Sequence, residues 1–288
     1  MRYHHETMIR ALGYATATAF LLVSCTKGDK VPSYLEVPSV ALLTDPLVEG
    51  TASHKVQEIY TFVDDKAVGA WEFPARIPVL ASGTRNLKII AGIHRNGIGT
   101  DRIQYPFYDT WSGSVDLALE GTATVIPQFM YFPDLYYWHE AFEDAGNKFT
   151  VNTLSDTTLN TITDPAHVFE GNASAAFFLD TAHPFFLAST QEAFDAHVGP
   201  VFLELDYKCD HRFLIGVYYT VNGQVVKEPY LFIAPNGLTW NKIYVDLSLL
   251  FNTAGVSDRE FYVEAQLDPT ATSAAIYLDN FKVVHSGN

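Results

Sequence analysis

Basic residues are scarce in this chain: 18 Lys and Arg stand against 33 Asp and Glu in 288 residues, a formal net charge of −15. No Lys/Arg cluster interrupts the surplus. A phosphate backbone would be repelled by most of this surface, which excludes nucleic acid as an expected partner. Charged residues of both signs make up only 18% of the chain and hydrophobic residues 48%, so the composition is globular, not disordered. Glycine and proline, at 18 and 14, are near ordinary usage and exclude collagen-like and low-complexity readings. Also missing are G-x-S-x-G, a P-loop, G-x-G-x-x-G and an EF-hand loop. His139-Glu140-Ala141-Phe142-Glu143 lacks the second histidine at i+4 that a zinc site needs. Two carboxylates for glycoside hydrolysis can be drawn from so many acidic residues, but no spacing selects a pair. The chain is expected not to be an enzyme.

No apolar run is long enough for a spanning helix, which needs about 20 residues. The longest, Ala11 to Val23, follows Arg2 and Arg10 and ends in Leu22-Val23-Ser24-Cys25. That ending resembles a bacterial lipobox, in which the cysteine thiol is diacylated before cleavage. Residues 1–24 are then a lipoprotein signal peptide, Cys25 is the lipidation site, and the mature chain carries a net charge of −16. The bland alternative is a plain secretory peptide with an incidental cysteine. The anchored reading places the protein on the outer membrane of a Gram-negative envelope, at its periplasmic or cell-surface face. Only Cys209 then remains, so no intrachain disulfide can form. Cys209 reads as a buried strand residue; a thiol nucleophile activated by His211 is the weaker alternative.

Residues 25–40 are polar and broken by Pro32 and Pro38, as expected of a tether. Residues 41–130 carry six or seven strand-like segments with turn signals every 8 to 12 residues, which predicts a small β-sandwich of immunoglobulin-like or transthyretin-like type. Within it, Val56 to Val63 and Ala67 to Phe73 flank a turn at Asp64-Asp65-Lys66. A second block, 134–288, opens after the aromatic stretch Phe129 to Phe132. Its Phe213 to Val221 and Gln224 to Ala234 segments meet at Asn222-Gly223, a strong hairpin signal because both residues tolerate positive φ. Ser189-Thr190-Gln191-Glu192 has capping-box spacing and predicts a helix of one or two turns. The fold class expected is all-β, a sandwich followed by a jelly roll.

Three features of the second block resemble galactose-binding-like carbohydrate-binding modules: the acidic Phe142-Glu143-Asp144-Ala145-Gly146, the turn Glu170-Gly171-Asn172-Ala173-Ser174, and a late pair of segments. That pair is the strand Trp240 to Leu247 and the closing strand Tyr277-Leu278-Asp279-Asn280-Phe281-Lys282-Val283-Val284. With a lipid anchor and a β-sandwich spacer, the whole resembles the surface glycan-binding lipoproteins of starch-utilisation-type systems. The resemblance implies a non-catalytic protein whose partner is glycan or an envelope protein. It also implies a structural calcium held by Glu143, Asp144 and Asp279; the bare alternative is an Asx-type turn at Asp279-Asn280. Sugar binding needs flat aromatic rings with neighbouring hydrogen-bonding groups, and the candidates are Trp111, Tyr136, Tyr137, Trp138 and Trp240. Trp111 and the Tyr136 to Trp138 run are expected to be the more exposed, with packing between the two blocks as the competing role for the run. Trp240 is a core residue in the resembling modules. A structural or adhesion subunit without a small ligand is the alternative function. Cys25→Ala is expected to leave the protein soluble and unacylated; fatty-acid labelling checks this, and continued labelling of the variant would refute the anchor.

Overall fold

The computed structural model describes residues 31–287, so the signal peptide, Cys25 and residues 26–30 of the expected tether lie outside the described residues. Strand propensity and short turns yield 21 strands and, among the described residues, one four-residue helix, α1 (Ser248–Phe251). The N-terminal half packs a three-stranded sheet against a larger one. The first has β5 (Ala75–Val79), β1 (Ser33–Val37) and β9 (Thr122–Thr124), with β1 central. The second runs β4 (Lys66–Glu72), β3 (Glu58–Val63), β6 (Gly83–His94), with β8 (Trp111–Leu117) and β7 (Arg102–Gln104) also paired to β6. A short parallel pair, β2 (Ala41–Leu42) and β10 (Gln128–Phe129), closes the unit. Alternation drives the packing: Leu35, Val37, Ile77, Val79, Ile59 and Ile89 all point into one core. Residues 41–130 hold nine strands where sequence predicts six or seven, because several are only two or three residues long; the tenth, β1, corrects the expected tether, since Leu35 and Val37 are buried and the segment pairs with β5 and β9.

The C-terminal half is a jelly roll. One sheet is ordered β13 (Asn160–Ile162), β14 (Ser174–Asp180), β21 (Ser273–Ser286), β16 (Val201–Cys209), β19 (Asn241–Asp246), with β11 (Leu135–Glu140) also paired to β21. The facing sheet runs β12 (Phe149–Val151), β15 (Phe185–Thr190), β20 (Val256–Gln266), β17 (Phe213–Val221), β18 (Gln224–Ile233). The expected hairpins are present: Asp64 and Asp65 turn β3 into β4, and Asn222 with Gly223 turns β17 into β18, all four at positive φ. The helix predicted at Ser189 is not formed. β12 pairs with this segment instead, and the Gln191 amide goes to the Lys148 carbonyl, so sheet pairing outcompetes the cap. The acidic Phe142 to Gly146 segment, which the resemblance implies to be a first strand, is not one: β11 ends at Glu140, whose carboxylate accepts the amides of Phe142 and Lys148.

Along β16, Leu203, Leu205, Tyr207 and Cys209 enter the jelly-roll core, which turns Phe202, Glu204, Asp206 and Lys208 to the other face of the sheet. That face is covered by the N-terminal half, and Phe202, Tyr244 and Val284 belong to the N-terminal core. A buried polar network lies between the halves. Glu204, with no exposed surface, accepts hydrogen bonds from the Tyr105 and Tyr131 hydroxyls at 2.6 and 2.8 Å and pairs with Lys242 at 3.2 Å. Lys282 donates to the Tyr131 hydroxyl and the Thr51 carbonyl at 2.9 and 3.2 Å. Ser53 donates to Asp206 at 2.8 Å, and the Lys55 amide to the Tyr244 hydroxyl at 2.9 Å. Burial alone would raise the Glu204 carboxyl, but Lys242, Lys282 and the two tyrosine hydroxyls hold it below its ordinary value.

Lys282 bears the opposite strain. Burial, reinforced by repulsion from Lys242 and opposed by Glu204, Glu49 and Asp206, pushes its ammonium down to about 8 from 10.5. Between those two values the unfolded chain holds the extra proton, so stability must rise with pH across that window; below pH 8 the buried charge carries its full cost. Urea unfolding from about pH 8 toward the ordinary lysine value is expected to show this rise, and Lys282→Met is expected to flatten it. An equal rise in the variant would assign the effect elsewhere.

Candidate functional site

Because the N-terminal half covers the outer side of the first jelly-roll sheet, the outer side of the second is the one it leaves uncovered. On β17, Phe213, Ile215 and Val217 enter the core, leaving Leu214, Gly216 and Tyr218 on the outer face; on β20, Phe261, Val263 and Ala265 do the same for Tyr262 and Glu264. Leu187, Leu214 and Tyr262 form a small apolar cluster there, flanked by Phe185 and Tyr218. The Tyr218 and Tyr262 rings are 4.8 Å apart. Gly216 makes this possible: a Cβ at that position would sit 2.2 Å from Tyr262 Cζ and 2.6 Å from the Glu228 carbonyl. The Lys227 ammonium, ion-paired with Glu264, lies 5.0 Å from the Tyr262 ring centre. The Tyr262 hydroxyl, raised above its ordinary value by burial and then by Glu264, is buried without a hydrogen-bond partner.

Toward one end of this face the sheet opens into a cleft of about 500 Å³. Its lining includes Arg212, Leu214, Phe232, Glu264, Gln266 and Asp268. Phe232, on edge strand β18, is 64% exposed, an unusual cost for a large ring. The Arg212 guanidinium carbon stands 5.8 Å from the Phe232 ring centre, and Arg212 pairs with Asp268 at 2.8 Å. Behind them His211 accepts the Asp268 amide through Nε2 at 3.1 Å and contacts the Arg212 carbonyl through Nδ1 at 2.9 Å, the pattern of the Nδ1–H tautomer. His211 is thus committed to this wall. The Cys209 thiol is fully buried and pushed up to about 11, chiefly by burial, which is the chemistry of a core thiol and not of a nucleophile. An exposed ring beside fixed charged and amide groups offers an apolar platform and hydroxyl partners together.

The aromatic residues singled out in the sequence do not share this surface. Trp138 is buried in the jelly-roll core, with ring contacts to Phe149, Phe194 and Phe261, so its expected exposure is corrected. Tyr137, on the opposite side of β11, packs against the N-terminal core and meets Tyr131 edge-on. Tyr136 is exposed and stacks on His285 at 4.7 Å. Trp111 is half-buried against the N-terminal core with its ring over Gly113, so it too is less exposed than expected. Trp240 is half-buried against Phe169, and the buried Lys208 ammonium lies between it and Tyr277, 5.0 and 4.7 Å from the two rings.

The three carboxylates expected to hold calcium also separate. Glu143 takes the amides of Asn172 and Ala173 and the Asn172 side chain at 2.8 to 3.0 Å, while Asp144 is exposed. Asp279 is buried, accepts the Ser174 hydroxyl at 2.6 Å and the Asn280 amide at 2.8 Å, and is raised to about 7, chiefly by burial. Asp279 thus bonds the amide of the next residue, one position short of the amide an Asx turn would engage. One extra residue on β21 explains it: Glu204 faces Lys282 but Asp206 faces Asp279, and the bulge at Asn280, with φ of 48°, turns two consecutive side chains to the outer side. Among the described residues no group of three or more His, Cys, Asp or Glu is placed to hold a metal ion.

No protein-family model and no curated protein sequence matches the chain. Similar solved structures include a xylan-binding domain from carbohydrate-binding module family 22, with 16% identity and a TM-score of 0.40, covering 55% of this chain and 99% of that one. Another is the CBM22-2 xylan-binding domain from Paenibacillus barcinonensis Xyn10C, at 13% identity, a TM-score of 0.36, and 52% and 99% coverage. A family 29 module complexed with mannohexaose has 11% identity, a TM-score of 0.34, and 53% and 94% coverage. Gly216→Ala is expected to displace the Tyr262 ring and destabilise the protein by about 1–3 kcal/mol, as overpacking does; urea unfolding measures this, and an unchanged midpoint would contradict the close packing.

Proposed function

We propose that this chain is a non-catalytic, lipid-anchored glycan-binding protein of the outer membrane whose site is the cleft on the second jelly-roll sheet. The observation that carries the reading is the exposed Phe232 ring set beside Arg212, Asp268, Glu264 and Gln266 in a cleft of about 500 Å³. A pyranose presents an apolar C–H face and a rim of hydroxyls. Phe232 covers the first; the carboxylates accept from the second, while Arg212 and the Gln266 amide donate to it. The Arg212–Asp268 pair fixes both groups before ligand arrives, which lowers the ordering cost of binding. Affinity from one shallow site is modest, and anchoring many copies on one membrane through Cys25 raises it by multivalency.

A structural or adhesion role is the second reading. It is favoured by β18, an edge strand with Val225 71% exposed, on which another chain could add a strand.

The test is a broad glycan array probed with the non-acylated protein, in calcium and in chelator. Binding to one sugar class is expected, weakened about tenfold or more by Phe232→Ala, equivalent to about 1.4 kcal/mol. Folded protein that binds no glycan would overturn the proposal and favour the adhesion reading.

A further inference from the structure

The end of the N-terminal half from which the tether departs carries unsatisfied apolar side chains. Ser33, at the start of β1, is fully buried, and its hydroxyl contacts the Ala81 and Ala118 carbonyls at 2.9 and 2.8 Å. The next amide, of Tyr34, donates to the Gly121 carbonyl at 2.8 Å. The two loops β5–β6 and β8–β9 are thereby tied to the first strand. Each presents one leucine to solvent: Leu80 is 61% exposed and Leu119 64%. Val31, two residues before Ser33, is 45% exposed. Three large aliphatic side chains thus surround the point where the chain leaves the sandwich. The loops carry little charge, with Glu120 their one acidic residue and no basic residue. Behind the leucines are ion-paired groups: Arg85, which also donates to the Ser82 carbonyl at the base of the β5–β6 loop, pairs with Asp64 at 3.1 Å, and further along β6 Lys88 pairs with Asp65 at 2.6 Å.

Five residues lie between Cys25 and Val31, six steps along the chain. Even fully extended they reach only about 20 Å, so an acylated Cys25 holds this end within that distance of the bilayer. We infer that Val31, Leu80 and Leu119 insert into the lipid interface, so that the N-terminal sandwich stands on the membrane by this tip instead of swinging on its tether. The inference rests on Cys25 being acylated. Apolar tips with charged, paired groups one step behind match the change from acyl chain to headgroup. The partner is the lipid surface itself, and its specificity comes from depth, not from headgroup identity.

The test uses acylated protein in phosphatidylethanolamine–phosphatidylglycerol vesicles, with a spin label introduced by Leu80→Cys, Leu119→Cys or, as a reference on the jelly roll, Leu249→Cys. Cys209 is buried and does not compete for the label. Labels at 80 and 119 are expected to lose most of their collisions with aqueous nickel chelate and gain collisions with oxygen, while the label at 249 does neither. Protein that floats with the vesicles but keeps both tip labels wet overturns this inference alone. Protein that does not float overturns the anchor and the inference together. Shielding in native membranes but not in pure lipid would assign the tip to a protein neighbour and overturn it as well.

Discussion

Glu204 is the constraint on which the arrangement of the two halves depends. A carboxylate removed from water must be met by donors and cations, and no single half of this chain supplies enough of them. Tyr105 and Tyr131 come from the N-terminal half, Lys242 and Lys282 from the jelly roll. Removing one partner from such a buried set typically costs about 3–5 kcal/mol, although replacing the whole set with apolar residues can be neutral. The network therefore contributes less to net stability than to register: it admits one docking of the sandwich on the sheet. That docking covers one outer face of the jelly roll and leaves the other uncovered.

Strand content and the two hairpins were legible from alternation and turn chemistry. Asn222-Gly223 and Asp64-Asp65 need positive φ, and their residue types say so. The Ser189 capping box misled because a cap is a local preference, and β12 offers the same amides a sheet partner. The bulge at Asn280 was not legible, since one extra residue in a strand leaves no mark in composition. It is what turns Asp279 and Asn280 to the same side and gives Asp279 its local partners.

The site was half legible. The outward set on β17 and β20, with Leu214, Gly216, Tyr218, Tyr262 and Glu264, follows from period two once the inward set is known. Which outer face would be open does not, because covering the other depends on Glu204 meeting tyrosines about 70 to 100 residues earlier. Aromatic type was likewise a poor guide: Trp138 is the most deeply buried of the candidate rings, whereas the exposed Phe232 drew no notice in a sequence holding 20 phenylalanines. Exposure, not ring chemistry, separates a platform from a core residue.

β21 pairs with β11, β14 and β16, and it is the final strand of the fold. A sheet whose central member comes after its neighbours in chain order cannot close before that segment is made. Until that strand arrives, β14 and β16 lack their shared neighbour and Glu204 lacks the Lys282 ammonium. The long-range pairing that makes such folds slow here keeps the nascent jelly roll open.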